Sequence, residues 1–143
     1  MSVTPYLGPS GEYSYGDVVF KNYGVTDIGA NLGVLADTSN VGDVDNPPGI
    51  VLPTASGGQD GSIGITTMTI KAGKMGLVRM AGRITCTASG TVTFGDHVKI
   101  DDTTSKLGWV STAGSNKEQV GQALGTASDG NKVDIWLCKA LND

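Results

Sequence analysis

The sequence predicts an all-β fold: a small β-barrel or β-sandwich with an extended N-terminal arm and two similar halves. Three observations predict it. From Val78 the even positions read Val78, Met80, Gly82, Ile84 and Cys86, and the odd ones Arg79, Ala81, Arg83, Thr85 and Thr87. Apolar groups on one face and charge on the other, at a period of two, mark a half-buried strand. Gly supplies 22 of 143 residues, about twice its ordinary share of roughly 7%, and Gly serves turns and bulges rather than helix interiors. Short apolar segments also recur between Gly, Asp, Ser and Thr clusters, and no helical period lasts beyond a turn or two.

Length fits one domain with an appended arm. Residues 1–15 form that arm, because Pro5, Gly8, Pro9, Ser10 and Gly11 discourage helix and sheet alike. Five of the eight aromatic residues (Tyr6, Tyr13, Tyr15, Phe20 and Tyr23) fall in the first 23 positions. Disordered linkers are poor in aromatics, and Tyr is enriched at interfaces. The tyrosines therefore either lie back on their own domain or dock on a partner. The contact candidates are Tyr6, Leu7, Tyr13 and Tyr15.

Residues 16–143 form a single β domain, with 16–80 and 81–143 as intertwined halves. The first strand is 16–22, reading GDVVFKN. Residues 28–35 are ambiguous between a strand and a helical turn. Residues 40–48 are a loop, since Pro47-Pro48 excludes a central strand. Further strands are predicted at 49–52, 62–70, 75–87, 91–100, 108–111, 118–126 and 132–139. The last is apolar on both faces, with Val133, Ile135 and Leu137 on one and Trp136 and Cys138 on the other. Such a strand is central or part of a subunit contact, so Trp136 joins the contact candidates.

The predicted core is Val78, Met80, Ile84, Val92, Phe94, Val98, Ile100, Val120, Leu124, Val133, Ile135 and Leu137. Trp109 is placed in the core rather than on a ligand platform. Cys86 and Cys138 are expected to be reduced and buried within strands.

An internal echo relates the halves. Gly49, Thr54, Ile63-Gly64, Gly73, Val78 and Met80 match Gly108, Thr112, Val120-Gly121, Gly130, Ile135 and Leu137. More faintly, Gly29, Leu32, Val34, Thr38 and Ser39 match Gly95, Val98, Ile100, Thr104 and Ser105. Two copies are too few for a solenoid, so a barrel of two similar halves is the better inference.

Charge and chemistry narrow the function classes. The net charge of −4 is uneven: residues 1–70 hold one basic residue, Lys21, against seven acids. No basic stripe exists, so no nucleic-acid partner is expected. The N-terminus has neither a basic n-region nor an apolar h-region, and no run approaches a membrane span, so neither secretion nor a membrane is expected. His97, the single histidine, falls out of phase with Phe94, Val98 and Ile100 and is predicted to face outward. One His with two distant Cys makes no zinc pattern, and a Ser–His–Asp site would need that same His. Asp101-Asp102 and Asp43-Val44-Asp45-Asn46 read as turns; the second lacks the Gly and distal Glu of a calcium loop. Gly57-Gly58 and Gly61 read as turn glycines. Ser115 with Glu118 matches a capping box, but Gly121 and Gly125 oppose the helix it would start. No catalytic, metal or cofactor residue is assigned, and no enzyme activity is expected.

The segments IGITTMTIKAGKMGLVRMAG, GTVTFGDHVKID and VGQALGTASDGNKVDIWL resemble the capsid cement, or head decoration, proteins of tailed bacteriophages. The resemblance spans about residues 62–137 and rests on structural glycines and strand patterns. It implies a β protein on the outer surface of a phage head, made in the host cytoplasm. Its partners would be the major capsid protein, bound at capsomer junctions, and further copies of itself, often as a homotrimer. A carbohydrate-binding or adhesin module is the alternative. A trimeric β-fold enzyme subunit, with Asp96, His97 and Asp101 meeting a partner chain, is a weaker one.

Overall fold

The structure, a computed structural model, describes residues 16–54, 62–113 and 119–138. Ten strands run through them: β1 (Asp17–Lys21), β2 (Gly33–Ala36), β3 (Ile50–Val51), β4 (Ser62–Thr66), β5 (Met75–Arg79), β6 (Gly82–Thr87), β7 (His97–Ile100), β8 (Val110–Thr112), β9 (Gly121–Ala123) and β10 (Lys132–Leu137). There is no helix among the described residues. The strands form two five-stranded antiparallel sheets, ordered β1-β5-β4-β2-β3 and β6-β10-β9-β7-β8. Replacing each strand of the first by its counterpart five places later gives the second. The fold is all-β and built from two similar halves.

Each sheet curls until its outer strands meet. A parallel bridge joins Lys21 to Gly49 in the first half, and another joins Ala88 to Val110 in the second. The Lys21 amide donates to the Pro48 carbonyl at 3.0 Å and the Ser89 amide to Val110 at 2.8 Å. Closure of this kind pairs backbone groups that an open edge would leave unsatisfied. Phe20, Ile28, Val34, Ile50, Ile70 and Val78 fill the first barrel. Ile84, Cys86, Val92, Val98, Ile100, Val110, Val133, Ile135 and Leu137 lie in the core of the second. Each such side chain contributes roughly 1.5–3 kcal/mol when withdrawn from water.

Neither half lends a strand to the other's sheet, so the halves stand side by side rather than intertwined. They are nevertheless fused. Ile65 of β4 is fully buried within the core cluster of the second half. The Gly33 amide donates to the Gly108 carbonyl at 2.7 Å, and the Asn31 side-chain amide donates to the Thr85 carbonyl at 2.7 Å. Asn31 has φ 61°, the left-handed conformation that Asn tolerates better than most residues.

The echo becomes geometry across β4–β5 and β9–β10. A Cβ on Gly64 would lie 2.1 Å from the Arg79 carbonyl oxygen, and one on Gly121 would lie 2.1 Å from that of Trp136. The same close backbone approach thus demands glycine at the same place in both halves. Elsewhere the proposed correspondence slips. Val34 pairs with Gly64 and Val98 with Gly121, so Val34 matches Val98 rather than Ile100. Ala36 pairs with Ile50 and Ile100 with Val110, which displaces the Gly49–Gly108 match by one residue. The connections differ in length between the halves while the order of the strands does not.

Several other expectations fail for local reasons. The strand predicted at 75–87 breaks at Met80-Ala81, where the chain passes from one sheet to the other. The break preserves the odd–even phase, so the alternation does not betray it. Met80, at that corner, is 40% exposed. Phe94 is 68% exposed because residues 93–96 form a turn, closed by the Asp96 amide donating to the Thr93 carbonyl at 2.9 Å. Leu124 is 40% exposed, just beyond the end of β9. Cys86 is buried and Cys138, past the end of β10, is exposed; both are free thiols. Trp109 is only partly buried, with the Lys106 ammonium 5.9 Å from its ring centre.

Candidate functional site

The polar clusters of the chain are committed to its own turns. Asp43 Oδ1 accepts the amides of Asp45 at 2.8 Å and Asn46 at 2.9 Å, together with the Asn46 side chain at 3.2 Å. The Asp45 amide, the Asn46 side chain and the Asn46 amide hold its carboxyl below the usual carboxylate range. Burial pushes Asp101 up, but hydrogen bonds from the Ser89 hydroxyl and from the Thr103 side chain and amide outweigh it and hold its carboxyl low. Asp96 accepts the Thr93 amide at 2.9 Å and the Thr112 hydroxyl at 3.1 Å.

His97 is exposed on β7, as its phase predicts. Among the described residues no three His, Cys, Asp or Glu side chains gather where a metal ion could sit. The capping-box pair Ser115 and Glu118 lies outside the described residues, as do Gly57, Gly58 and Gly61.

A cleft between the halves is lined by Asn31, Thr67, Arg79, Arg83, Ile84 and Thr85. Both guanidiniums in it are engaged. Arg79 holds Asp17 through Nε at 2.7 Å and Nη2 at 3.1 Å, and Arg83 holds Asp134. Each ion pair lies within its own half, so the charges that line the cleft are already matched beside it.

What the surface offers instead is a row of side chains across the second sheet. Arg83 on β6 pairs with Trp136 on β10, Trp136 with Gln122 on β9, and Gln122 with His97 on β7. All four lie on one outer face. Trp136 is 50% exposed, and Gln122 and His97 are exposed beside it. Phe94 and Leu124 flank the row from the turns at the ends of β7 and β9. The Gln122 side-chain amide donates to the Gly95 carbonyl at 3.0 Å, which ties the Phe94 turn to the sheet. Two aromatics and a leucine on a rigid sheet, rimmed by polar groups, make a surface suited to docking.

Of the contact candidates named from sequence, Trp136 stands at the centre of this face. Tyr6, Leu7, Tyr13 and Tyr15 lie outside the described residues. Phe94 and Leu124 are expected in the core from sequence, and Gln122 and His97 are not among the contact candidates. The signal that could have found two of them is turn chemistry: Phe94-Gly95-Asp96 and Leu124-Gly125 place an apolar residue directly before a turn glycine.

No family model matches this chain, and no curated protein is similar to it. Among solved structures it is similar to the N base of head fiber gp8.5 in bacteriophage phi29, with a TM-score of 0.60 at 16% sequence identity. The match covers 89% of this chain and 98% of that one. At this identity the likeness is one of fold.

Proposed function

We propose that this chain is a structural protein of a tailed-phage virion, which binds the outer surface of the head and cements the shell at capsomer junctions. The observation that carries the reading is the fold shared over nearly the whole length with the base of a phage head fiber. The cement-protein resemblance of residues 62–137 supports it, as does a face on which Trp136, Phe94 and Leu124 are exposed.

A cement protein stabilises a shell because it binds the assembled state and not separated capsomers. The linkage is about RT ln(1 + [L]/Kd) per site, or roughly 2.7 kcal/mol at a hundredfold excess over Kd. Modest contacts, repeated over a lattice, therefore add to a large resistance against internal pressure. The arm, residues 1–15, supplies part of the contact. Its tyrosines offer broad apolar faces with a hydroxyl for the rim, and its prolines limit the entropy lost on ordering.

The test mixes the purified chain with shells assembled from the major capsid protein of the phage whose genome carries this chain. Co-sedimentation with shells, none with separated capsomers, and a raised shell-disruption temperature are expected. Deleting residues 2–15 should leave a folded domain that binds and stabilises less. No binding to shells at all overturns the cement reading, and equal binding by the truncated chain moves the contact from the arm to the barrels.

A further inference from the structure

The two halves dock on each other asymmetrically, and the unused copy of each docking surface is open. In the first half the row across the sheet is Asp17, Arg79, Ile65 and Gly33, one residue each from β1, β5, β4 and β2. This row is the counterpart, strand for strand, of Arg83, Trp136, Gln122 and His97. The first row is covered by the second half. Ile65 lies in the second core, a Cβ on Gly33 would meet Ile100 at 2.6 Å, and Arg79 Nη1 donates to the Arg83 carbonyl at 2.8 Å. Asn31 beside the row reaches Thr85; its counterpart in the second half is Gly95. The second row has no further half to cover it.

The covering surface has an unused copy as well. In the second half it includes Ile84 and Thr85 of β6, with Asp134 bonded to Thr85 at 2.5 Å. Ile84 pairs with Ile135, and Thr85 with Asp134. Their counterparts in the first half are Val18, which pairs with Val78, and Val19, which pairs with Leu77. Ile84 is buried, whereas Val18, Val19 and Leu77 are 41%, 46% and 38% exposed.

Along the rows the substitutions are mixed, since Gln122 stands at the place of Ile65 and His97 at that of Gly33, but three substitutions between the two pairs of surfaces run toward apolar groups. Where the internal contact has Arg79 on one side, the open row has Trp136; where it has Thr85 and Asp134 on the other, the open surface has Val19 and Leu77. The unpaired covering surface is thus more apolar than its joined counterpart, and the open row carries an exposed aromatic where the covered row has an ion-paired arginine, a change that suits a contact made without a covalent link.

We infer that a second copy of this chain docks head to tail, its Val18–Val19–Leu77 surface covering the Trp136 row of the first by the same arrangement that joins the two halves. Such an interface is heterologous, and it repeats until it closes into a ring or continues as a filament. The inference is independent of the virion reading, since it concerns purified protein alone.

The experiment uses the full chain and two variants, Trp136→Glu and Val19→Glu, each at an exposed position. Light scattering should give the unaltered chain a mass above that of one copy, and each variant the mass of one copy, with circular dichroism showing both folded. Mixed in equal amounts, the variants should form a dimer that grows no further. Val19→Glu still carries an intact Trp136 row, and Trp136→Glu an intact covering surface. A monomeric unaltered chain overturns the inference. So does association that survives either substitution, as a two-fold Trp136-to-Trp136 contact requires of Val19→Glu, or a mixture of the two variants that stays monomeric. Should a glutamate variant fail to fold, Trp136→Ser and Val19→Ser replace it, with the same outcomes read.

Discussion

Gly64 and Gly121 are tolerable only as glycines, because each lies beneath a carbonyl oxygen of the neighbouring strand. Gly64→Ala and Gly121→Ala should each destabilise the chain by at least about 1–3 kcal/mol, the ordinary cost of overpacking, and by similar amounts. Gly90→Ala, with open space around it but φ 73°, should cost less. Denaturant midpoints check the ranking. The two thiols differ as sharply. Burial pushes the Cys86 thiol up to about 12, whereas Cys138 is exposed. A thiol reagent at neutral pH should label Cys138 at once and Cys86 only on unfolding. The linkage sign follows from the raised value. In the unfolded chain Cys86 ionises near its ordinary 9.0, so its contribution is complete below that pH and fades as pH rises toward 12.

Two carboxylates of the second half are tied to neighbouring segments by hydrogen bonds. On β10, the Thr85 hydroxyl and the Arg83 guanidinium hold the Asp134 carboxyl below the usual range, and Asp101, at the end of β7, is held low by the hydrogen bonds of Ser89 and Thr103. Both carboxyls are depressed in the folded state. Their stabilisation is therefore present above the ordinary value of 3.8 and lost as pH falls below it, through the folded values. Denaturant midpoints should drop in that acid range, and Asp101→Asn should flatten the drop while costing about 1–3 kcal/mol at neutral pH. Ile65, by contrast, couples one element to a foreign core. Ile65→Ala should cost about 2–5 kcal/mol. Because both tryptophans, Trp109 and Trp136, belong to the second half, their fluorescence transition should move with the circular dichroism transition. A fluorescence midpoint left unchanged by Ile65→Ala would show that the halves unfold separately.

Across the whole molecule, two barrels of one topology share a seam of apolar packing, backbone hydrogen bonds and the Asn31–Thr85 contact. Neither half can be removed without stranding that seam in water. Residues 81–143 expressed alone should therefore expose the surface around Ile84 and Ile100 and unfold at lower denaturant than the full chain, with a smaller m-value. Equal midpoints would mean that the seam adds nothing to the second half. The same asymmetry shapes the surface: the half that covers its neighbour is left with an uncovered row of its own, at Trp136.

The sequence by itself determined what period-two alternation and turn chemistry can encode. The all-β class, most strand positions, the outward face of His97 and the glycine echo of β4–β5 in β9–β10 were all legible, because pleat and close backbone approach act within a few residues. The buried set was legible inside strands, as at Val78, Ile84, Val98 and Ile135, and illegible at Met80, Phe94 and Leu124, where a corner or turn interrupts the strand without disturbing the apolar pattern. Only the tertiary structure decided that the strand over 75–87 divides between two sheets, that Ile65 serves the other half's core, and that of two equivalent rows one is buried and the other open. Those outcomes depend on which half packs against which, and that choice is settled by contacts between residues far apart in the chain, which no local period records.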